Sequence, residues 1–238
     1  MKKLGCILIL AAMICASCQG RIKTAGDPAE FVPAGYVISH EIDGDLNNDG
    51  EPDRVLIIKG TDKDKIVQDA NRGELDQNCR GILIAFKKGN LYELVLENRS
   101  CFTSENEEDG DYLPPELSVR IENDTLFIHY AYGRSGEWSY TFQYQNSDFE
   151  LIQFDRSENR GSVVERAVSI DFQMKKMLTR ENENQATEEG DDEEFTGILE
   201  DFILTKPIVL REIVDFYTLY IENMIHRKGP EVYSGEER

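Results

Sequence analysis

The chain has 238 residues, of which 26 are Lys or Arg and 46 are Asp or Glu, so its formal net charge at pH 7 is -20. Nucleic acids and anionic lipid surfaces are bound through patches of Lys and Arg. The composition therefore argues against nucleic-acid binding, and the length is sufficient for one sizeable hydrophobic core.

Residues 1–17 have the organisation of an export signal. Two lysines precede an apolar run at residues 4–14, which is shorter than the roughly 20 residues that span a membrane. The sequence CASC that follows resembles the lipobox of bacterial lipoproteins, with Cys15 in the place where Leu is usual. This resemblance implies cleavage after Ser17 and lipidation of Cys18. Ordinary signal cleavage near Ser17, which would give a free secreted protein, is the alternative.

A lipidated Cys18 would anchor the protein without a spanning helix. Gln19 follows it, in place of the Asp that marks retention in the inner membrane among lipoproteins of this kind. The resemblance therefore implies a lipid-anchored protein of the bacterial outer membrane, facing either the periplasm or the outside. We expect residues 18–40, which are rich in Gly, Pro and small residues, to form a tether between the lipid and the domain.

Acidic and amide side chains alternate in the sequence GDLNNDGEPD, residues 44–53. Calcium takes six to eight oxygen ligands, and Gly50 permits the sharp turn that brings such ligands together. We predict a structural Ca²⁺ held by the side chains of Asp45, Asn47, Asp49 and Asp53 and by the main-chain carbonyl of Glu51. A polar turn without a metal is the alternative, because Asp, Asn and Gly are common turn residues.

The residues after this loop distinguish between known calcium-binding motifs. An EF-hand is excluded, because Leu56 stands where a bidentate Glu is needed and the sequence RVLIIK at residues 54–59 predicts a strand. The loop and strand resemble instead the calcium loop of FG-GAP or VCBS-type repeats. More loosely, residues 43–155 resemble bacterial lipoproteins of unknown activity, which combine one such loop with hairpins and a Trp-Ser-Tyr-x-Phe-x-Tyr strand. This implies a β-rich domain; a single copy of the loop disfavours a propeller.

The apolar centre of RVLIIK predicts a central strand that is covered on both faces. Residues 82–86 and 91–96 then form a predicted hairpin around Asn90. Cys79 and Cys101 lie at equal sequence distances from that turn, and export to an oxidising compartment favours a disulfide between them. Two separate thiols are the alternative, because a bulge or a slip would change the register.

Alternating apolar residues continue through residues 117–121, 126–130, 149–154 and 164–172, which predicts further hairpins. One strand carries an aromatic stripe, which we expect to be the core face of a sheet, with a platform for sugar rings as the alternative. The stripe consists of Trp138, Tyr140, Phe142 and Tyr144. Beside it, Tyr132, Arg134 and Glu137 of a Gly-rich loop are candidates for the polar rim of a ligand site.

Residues 181–195 are mostly acidic and have too little apolar surface to order themselves, so we predict a loop or linker there. The C-terminal segment, residues 196–238, regains apolar residues. Their helical spacing, with Pro207 suited to a first turn, predicts a helix over residues 208–225 that packs on the β-rich domain of residues 41–180. The spaced residues are Leu210, Ile213, Val214, Tyr217, Ile221 and Met224.

The expected fold class is therefore mainly β, with antiparallel sheets built from successive hairpins and a C-terminal helix. The sequence favours a lipid-anchored envelope protein with a calcium loop, acting as a binding or structural module for a protein or glycan ligand. An envelope hydrolase is the alternative. Its catalytic carboxylates could not be singled out by sequence, because 46 acidic residues produce many pairs by chance.

Overall fold

The computed structural model describes residues 23–106, 115–183 and 194–229. The predicted signal peptide and Cys18 lie outside the described residues. The described part is built from strands that pair antiparallel, so the mainly β fold class predicted from the sequence is confirmed. The strands are β1 (Thr24–Ala25), β2 (Tyr36–Gly44), β3 (Asp53–Gly60), β4 (Ile66–Asp69), β5 (Gly73–Asp76), β6 (Arg80–Lys88), β7 (Leu91–Phe102), β8 (Glu116–Glu122), β9 (Thr125–Ala131), β10 (Gly136–Gln145), β11 (Asp148–Arg160), β12 (Val163–Asp171), β13 (Lys176–Asn182), β14 (Phe195–Ile203) and β15 (His226–Arg227).

The first sheet has five strands in the order β1-β7-β6-β3-β2, and β4 and β5 form a separate two-stranded sheet. β3 lies between β2 and β6, and its apolar residues alternate between the two faces. Val55 and Ile57 enter the main core, whereas Leu56 and Ile58 pack with Phe31 on the other face. The prediction of a central strand covered on both faces is confirmed.

The second sheet has eight strands in the order β15-β14-β13-β12-β11-β10-β9-β8, so β8 to β14 form successive hairpins. Two of the turns have both central residues in the left-handed conformation. These are Asn123 and Asp124, with φ of 46° and 61°, and Asn146 and Ser147, with φ of 52° and 63°. Turns of this type match the twist of the strands that they join, which explains the Asn and Asp residues at these positions.

The main core is one continuous cluster of buried side chains from both sheets and from residues 208–225. Much of the aromatic stripe of β10 belongs to it, since Tyr140 and Phe142 are fully buried. Tyr144 contacts the Phe86 ring of the first sheet, with 4.7 Å between ring centroids. The stripe is therefore mainly the core face of the second sheet, as expected.

The predicted tether is wrong from Thr24 onward, because this part of the chain is folded. Thr24 and Ala25 pair with β7, and a 3-10 helix follows at Pro28–Phe31, capped by the Asp27 side chain. Phe31 is buried against the outer face of the first sheet. The segment folds there because Leu56 and Ile58 would otherwise be exposed to water on that face.

The predicted helix over residues 208–225 is also wrong. Only short 3-10 helices occur in this segment, at Leu210–Glu212 and Ile221–Asn223. The main-chain hydrogen bonds within the segment close single turns of three residues, as when Ile213 N donates to Leu210 O. Other main-chain groups bond to neighbouring strands: Ile208 O accepts from Leu151 N, and Phe216 N donates to Cys101 O, at 2.8 and 2.9 Å. Of the six spaced residues, Leu210, Ile213 and Ile221 are buried from this irregular backbone. The other three, Val214, Tyr217 and Met224, are exposed.

The predicted disulfide is wrong, because Cys79 is an exposed free thiol and Cys101 a buried free thiol. The hairpin of β6 and β7 does form around the predicted turn. Irregularities in its register, however, bring Arg80 opposite Phe102 and Ile82 opposite Asn98. Because of these irregularities the two cysteines do not face each other. The structure therefore agrees with the alternative of two separate thiols, in which a bulge changes the register. Burial raises the pKa of the Cys101 thiol well above its usual range.

Most of the predicted acidic linker lies outside the described residues. β13 continues to Asn182 and β14 begins at Phe195. Glu183 N donates to Glu194 O at 2.9 Å, so the two strands pair directly before and after residues 184–193. The first part of the predicted C-terminal segment is therefore strand β14 of the second sheet. In the described ranges, no helix is long and apolar enough to cross a membrane.

Candidate functional site

The loop between β2 and β3 contains the predicted calcium ligands. The Asp49 N–H donates to Asp45 Oδ1 at 3.1 Å and to Asn47 Oδ1 at 3.0 Å, so these two oxygens converge on one nitrogen. Gly50 N donates to Asp45 Oδ2 at 2.8 Å, and Gly50 has a φ of 85°, which suits a glycine. The loop is thus folded around the side chains of its own acidic residues.

Asp53 has a different position from the other predicted ligands, because it is fully buried at the start of β3. Its Oδ2 accepts from Leu46 N at 2.8 Å, and its Oδ1 accepts from Lys87 N at 2.9 Å. Both oxygens therefore connect main-chain groups of the loop and of β6. Burial raises the pKa of Asp53, against the effect of these two hydrogen bonds.

Asp49 and Glu51 contact the turn between β6 and β7. The Glu51 N–H donates to Asp49 Oδ1 at 2.9 Å, and this bond is the main reason that the pKa of Asp49 is lowered. Lys88 Nζ lies 3.4 Å from Asp49 Oδ2, and Gly89 N donates to Glu51 Oε2 at 3.1 Å. The loop is thereby fixed to a neighbouring hairpin.

The fit of this loop to a cation rests on the oxygens of Asp45, Asn47 and Asp49. In the described ranges, no group of three or more His, Cys, Asp or Glu side chains is arranged to hold a metal ion. Both oxygens of Asp45 and both of Asp53 accept main-chain hydrogens, but Asp53 is also fully buried, so it is the least suited to be a ligand. A calcium ion here would therefore depend on two carboxylates, one amide oxygen and main-chain carbonyls.

The predicted rim residues lie where β9 turns into β10. Tyr132 precedes the 3-10 helix Gly133–Ser135, and Arg134 is exposed on it. Gly136 then passes so close to β11 that a Cβ atom there would lie 2.1 Å from Ser157 O. Glu137 is exposed and lines one end of a cavity, and its Oε2 lies 3.2 Å from His129 Nε2. Of the three rim residues, only Glu137 lines this cavity.

This cavity, which we call the outer trough, has a volume of about 410 Å³ and lies on the second sheet. Its floor consists of small side chains on the face opposite the aromatic stripe, because successive residues of a strand point to opposite faces. Two cross-strand rows form it: Glu137, Ser157, Ala167 and Arg180, and beside them Ser139, Asp155, Ser169 and Leu178. His129 lies next to Ser139 and extends the second row.

Several polar groups of the outer trough have free hydrogen-bonding capacity. Asp155 Oδ1 accepts from the Ser169 hydroxyl at 2.7 Å and from the Gln153 amide at 3.1 Å. Within the described ranges, the hydroxyls of Ser139 and Ser157 have no hydrogen-bond partner, and Ser139 is only 7% exposed. The outer trough thus offers donors and acceptors to a polar ligand.

Two further cavities lie beside the C-terminal segment. One, of about 230 Å³, is lined by aromatic residues that include Trp138 and Tyr220, and Arg156 at its edge is paired with Glu158 at 2.9 Å. The other, of about 430 Å³, is lined by residues 204–224. Its Lys206 and Glu212 pair with each other at 2.6 Å, so these charges are already neutralised.

The outer trough was not predicted, apart from Glu137. The serines and the aspartate of its floor lie on three different strands, and only the register of the hairpins places them side by side. The period-two pattern of β10 does indicate that Ser139 lies opposite the aromatic face. Comparisons with protein-family models, with curated proteins and with solved structures gave no match.

Proposed function

We propose that this chain is a lipid-anchored protein of the bacterial outer membrane that acts as a binding or structural module and carries a calcium-binding loop. The export signal and Cys18 support the anchor, and residues 45–53 support the metal. The observation that carries the proposal is the convergence of Asp45 and Asn47 oxygens on Asp49 N, because it assembles oxygen ligands in one tight turn.

In this proposal, Asp45, Asn47, Asp49 and the Glu51 carbonyl contribute to calcium binding, and Asp53 acts mainly by fixing the loop to β6. The ion's role is structural. It would hold the loop against the turn between β6 and β7, where Asp49 and Glu51 already have contacts. Affinities of about 0.1 to 1 mM are typical of extracellular calcium modules and are expected here.

Calorimetric titration of Ca²⁺ into the mature protein tests this assignment. We expect saturable heat and a higher melting temperature with calcium, both lost in the double variant Asp45→Asn/Asp49→Asn. Asp62→Asn is the matched control, because Asp62 also caps a turn, by accepting from Asp64 N at 3.0 Å, but lies outside the loop. A wild-type protein that shows neither heat nor a thermal shift at 10-fold excess over 1 mM, roughly the weak limit of such modules, has no calcium site.

One observation favours the alternative of an envelope hydrolase. Glu137 and Asp155 lie on the neighbouring strands β10 and β11 of the outer trough. Glu137 pairs with Ser157, so Asp155, two residues before Ser157, is its diagonal neighbour on the same face. Diagonal neighbours of this kind have Cα atoms about 7–8 Å apart, so both carboxylates can contact one bound ligand, and glycosidases act through two such carboxyl groups. If the protein is a hydrolase, Glu137→Gln and Asp155→Asn would abolish turnover while leaving calcium binding unchanged.

A further inference from the structure

We propose that the outer trough binds an oligosaccharide that carries a carboxylate, with Arg180 holding the carboxylate and Ser139, Ser157 and Asp155 bonding to sugar hydroxyls. This inference rests on the proposed function of a binding module and names the ligand class and the site. The charges, the polar floor and the span of this one cavity indicate the ligand class.

The side chain of Arg180 is the first observation that indicates an anionic group on the ligand. Its guanidinium lies 5.6 Å from the centre of the Phe195 ring, on the exposed side of β13. No carboxylate of the described ranges pairs with it, although the protein has 46 acidic residues. A guanidinium can donate two parallel hydrogen bonds to a carboxylate.

The charges at the other end of the outer trough give the ligand a direction. Glu137 lies in the same cross-strand row as Arg180, three strands away, and contacts His129 at 3.2 Å. At about 4.8 Å per strand, the two ends are about 14 Å apart. Glu137 would repel an anionic group, so the ligand's carboxylate belongs at the Arg180 end.

The floor between these ends suits sugar hydroxyls. Ser139 and Ser157 each offer a hydroxyl that both donates and accepts, and the carboxylate of Asp155 accepts. Sugars present several hydroxyl groups on each ring and can match such a row. The main-chain groups of β10 to β13 are paired with neighbouring strands, so a peptide could not bind here by adding a strand to the sheet.

The span and volume favour a short oligosaccharide over a simple anion. A cavity of about 410 Å³ that extends across four strands far exceeds the size of an inorganic anion. Small residues form its floor, and larger ones, His129 with Glu137 and Leu178 with Arg180, stand at its ends. This arrangement encloses an extended ligand lengthwise.

A panel of immobilised oligosaccharides tests the proposal with the mature protein. The panel contains chains with uronic or sialic acid units and neutral chains of matched length. We expect carboxylated members to bind and their neutral counterparts to bind at least about tenfold more weakly. Arg180→Ala should weaken binding of carboxylated chains about tenfold and remove the preference over neutral chains, whereas Ser157→Ala should weaken both kinds equally.

Arg99→Ala is the matched control, because Arg99 is an exposed arginine of the first sheet, paired with Glu97 at 2.6 Å, and it should leave binding unchanged. Equal binding of neutral chains, or no effect of Arg180→Ala, would overturn the proposal. If no carboxylated chain binds while calcium still raises the melting temperature, this inference alone fails. Cleavage of a bound chain would support the site and overturn the non-catalytic function.

Discussion

Residues of the same type have different tasks in the loop between β2 and β3. Asp45 and Asp49 are at the surface and accept hydrogen bonds from within the loop. Asp53 is fully buried and connects the loop to β6 through Leu46 N and Lys87 N. From their spacing in the sequence, all three carboxylates are equivalent candidates for calcium ligands. Their different burial in the structure gives them different roles. The loop therefore has a structural anchor that is independent of any metal.

The variant Asp53→Asn tests this anchor in the presence of a calcium chelator. An asparagine offers only one accepting oxygen, so its amide group would face a main-chain donor. We expect a loss of about 1–3 kcal/mol in the free energy of unfolding, measured by urea denaturation, because a buried N–H is left without an acceptor.

Asp43→Asn is the control for this experiment. Asp43 pairs with Arg54 at 2.7 Å, but its side chain is 63% exposed, so its loss should cost about 1 kcal/mol or less. If Asp53→Asn unfolds at the same urea concentration as the wild type, Asp53 does not anchor the loop.

At the scale of elements, the segment 208–225 decides how the two sheets are held together. Phe216 contacts Phe102 of β7 and Tyr140 of β10, with ring centroids 5.3 and 4.8 Å away. The buried Asn98 side chain donates to Leu210 O and Ile213 O at 3.0 and 2.7 Å. The segment thus joins both sheets through side chains and main chain.

Phe216→Ala should therefore destabilise the whole fold. We expect a loss of about 3–5 kcal/mol in the free energy of unfolding, because the change opens a cavity between the sheets. Val214→Ala is the control in the same segment: its side chain is 81% exposed, so its effect should stay within about 0.5 kcal/mol. Similar losses in the two variants would contradict the position of Phe216 in the core.

At the scale of the whole molecule, the second sheet places its two faces in different environments. The face toward the first sheet carries the aromatic core, and the other face carries the outer trough. The rigid, paired strands of β10 to β13 fix the positions of the polar floor residues. Such an arrangement suits a module that is anchored at one end and presents a binding face to its surroundings.

The proposed anchor is tested on the full chain in growing cells. Labelled palmitate should be incorporated into the wild-type protein, which should sediment with membranes. Cys18→Ser should remain unlabelled and be found in the soluble fraction, because it lacks the acyl chains that hold the protein to the bilayer. Cys79→Ser, which removes an exposed thiol, should keep both label and sedimentation. A labelled Cys18→Ser protein would refute the anchor.

Local patterns predicted those parts of the fold that depend on neighbouring residues. The alternation in β8 to β12 and the doubly covered strand β3 were predicted from the sequence, because strand pleating acts over a few residues. Glu137 lines the outer trough, and its role in binding a ligand stays a prediction. By contrast, the spacing at residues 208–225 indicated a helix that does not form, because contacts with both sheets override local propensity.

By itself, the sequence determined the mainly β class, the successive hairpins and the composition of the loop at residues 45–53. Only the tertiary structure decided the register between distant residues. Irregular pairing in β6 and β7 separates Cys79 from Cys101, and regular pairing of four strands assembles Ser139, Asp155, Ser157 and Arg180 in one cavity. The physical reason is the period of two along a strand: one extra residue in a bulge exchanges which side chains meet, and local patterns do not fix where a bulge falls.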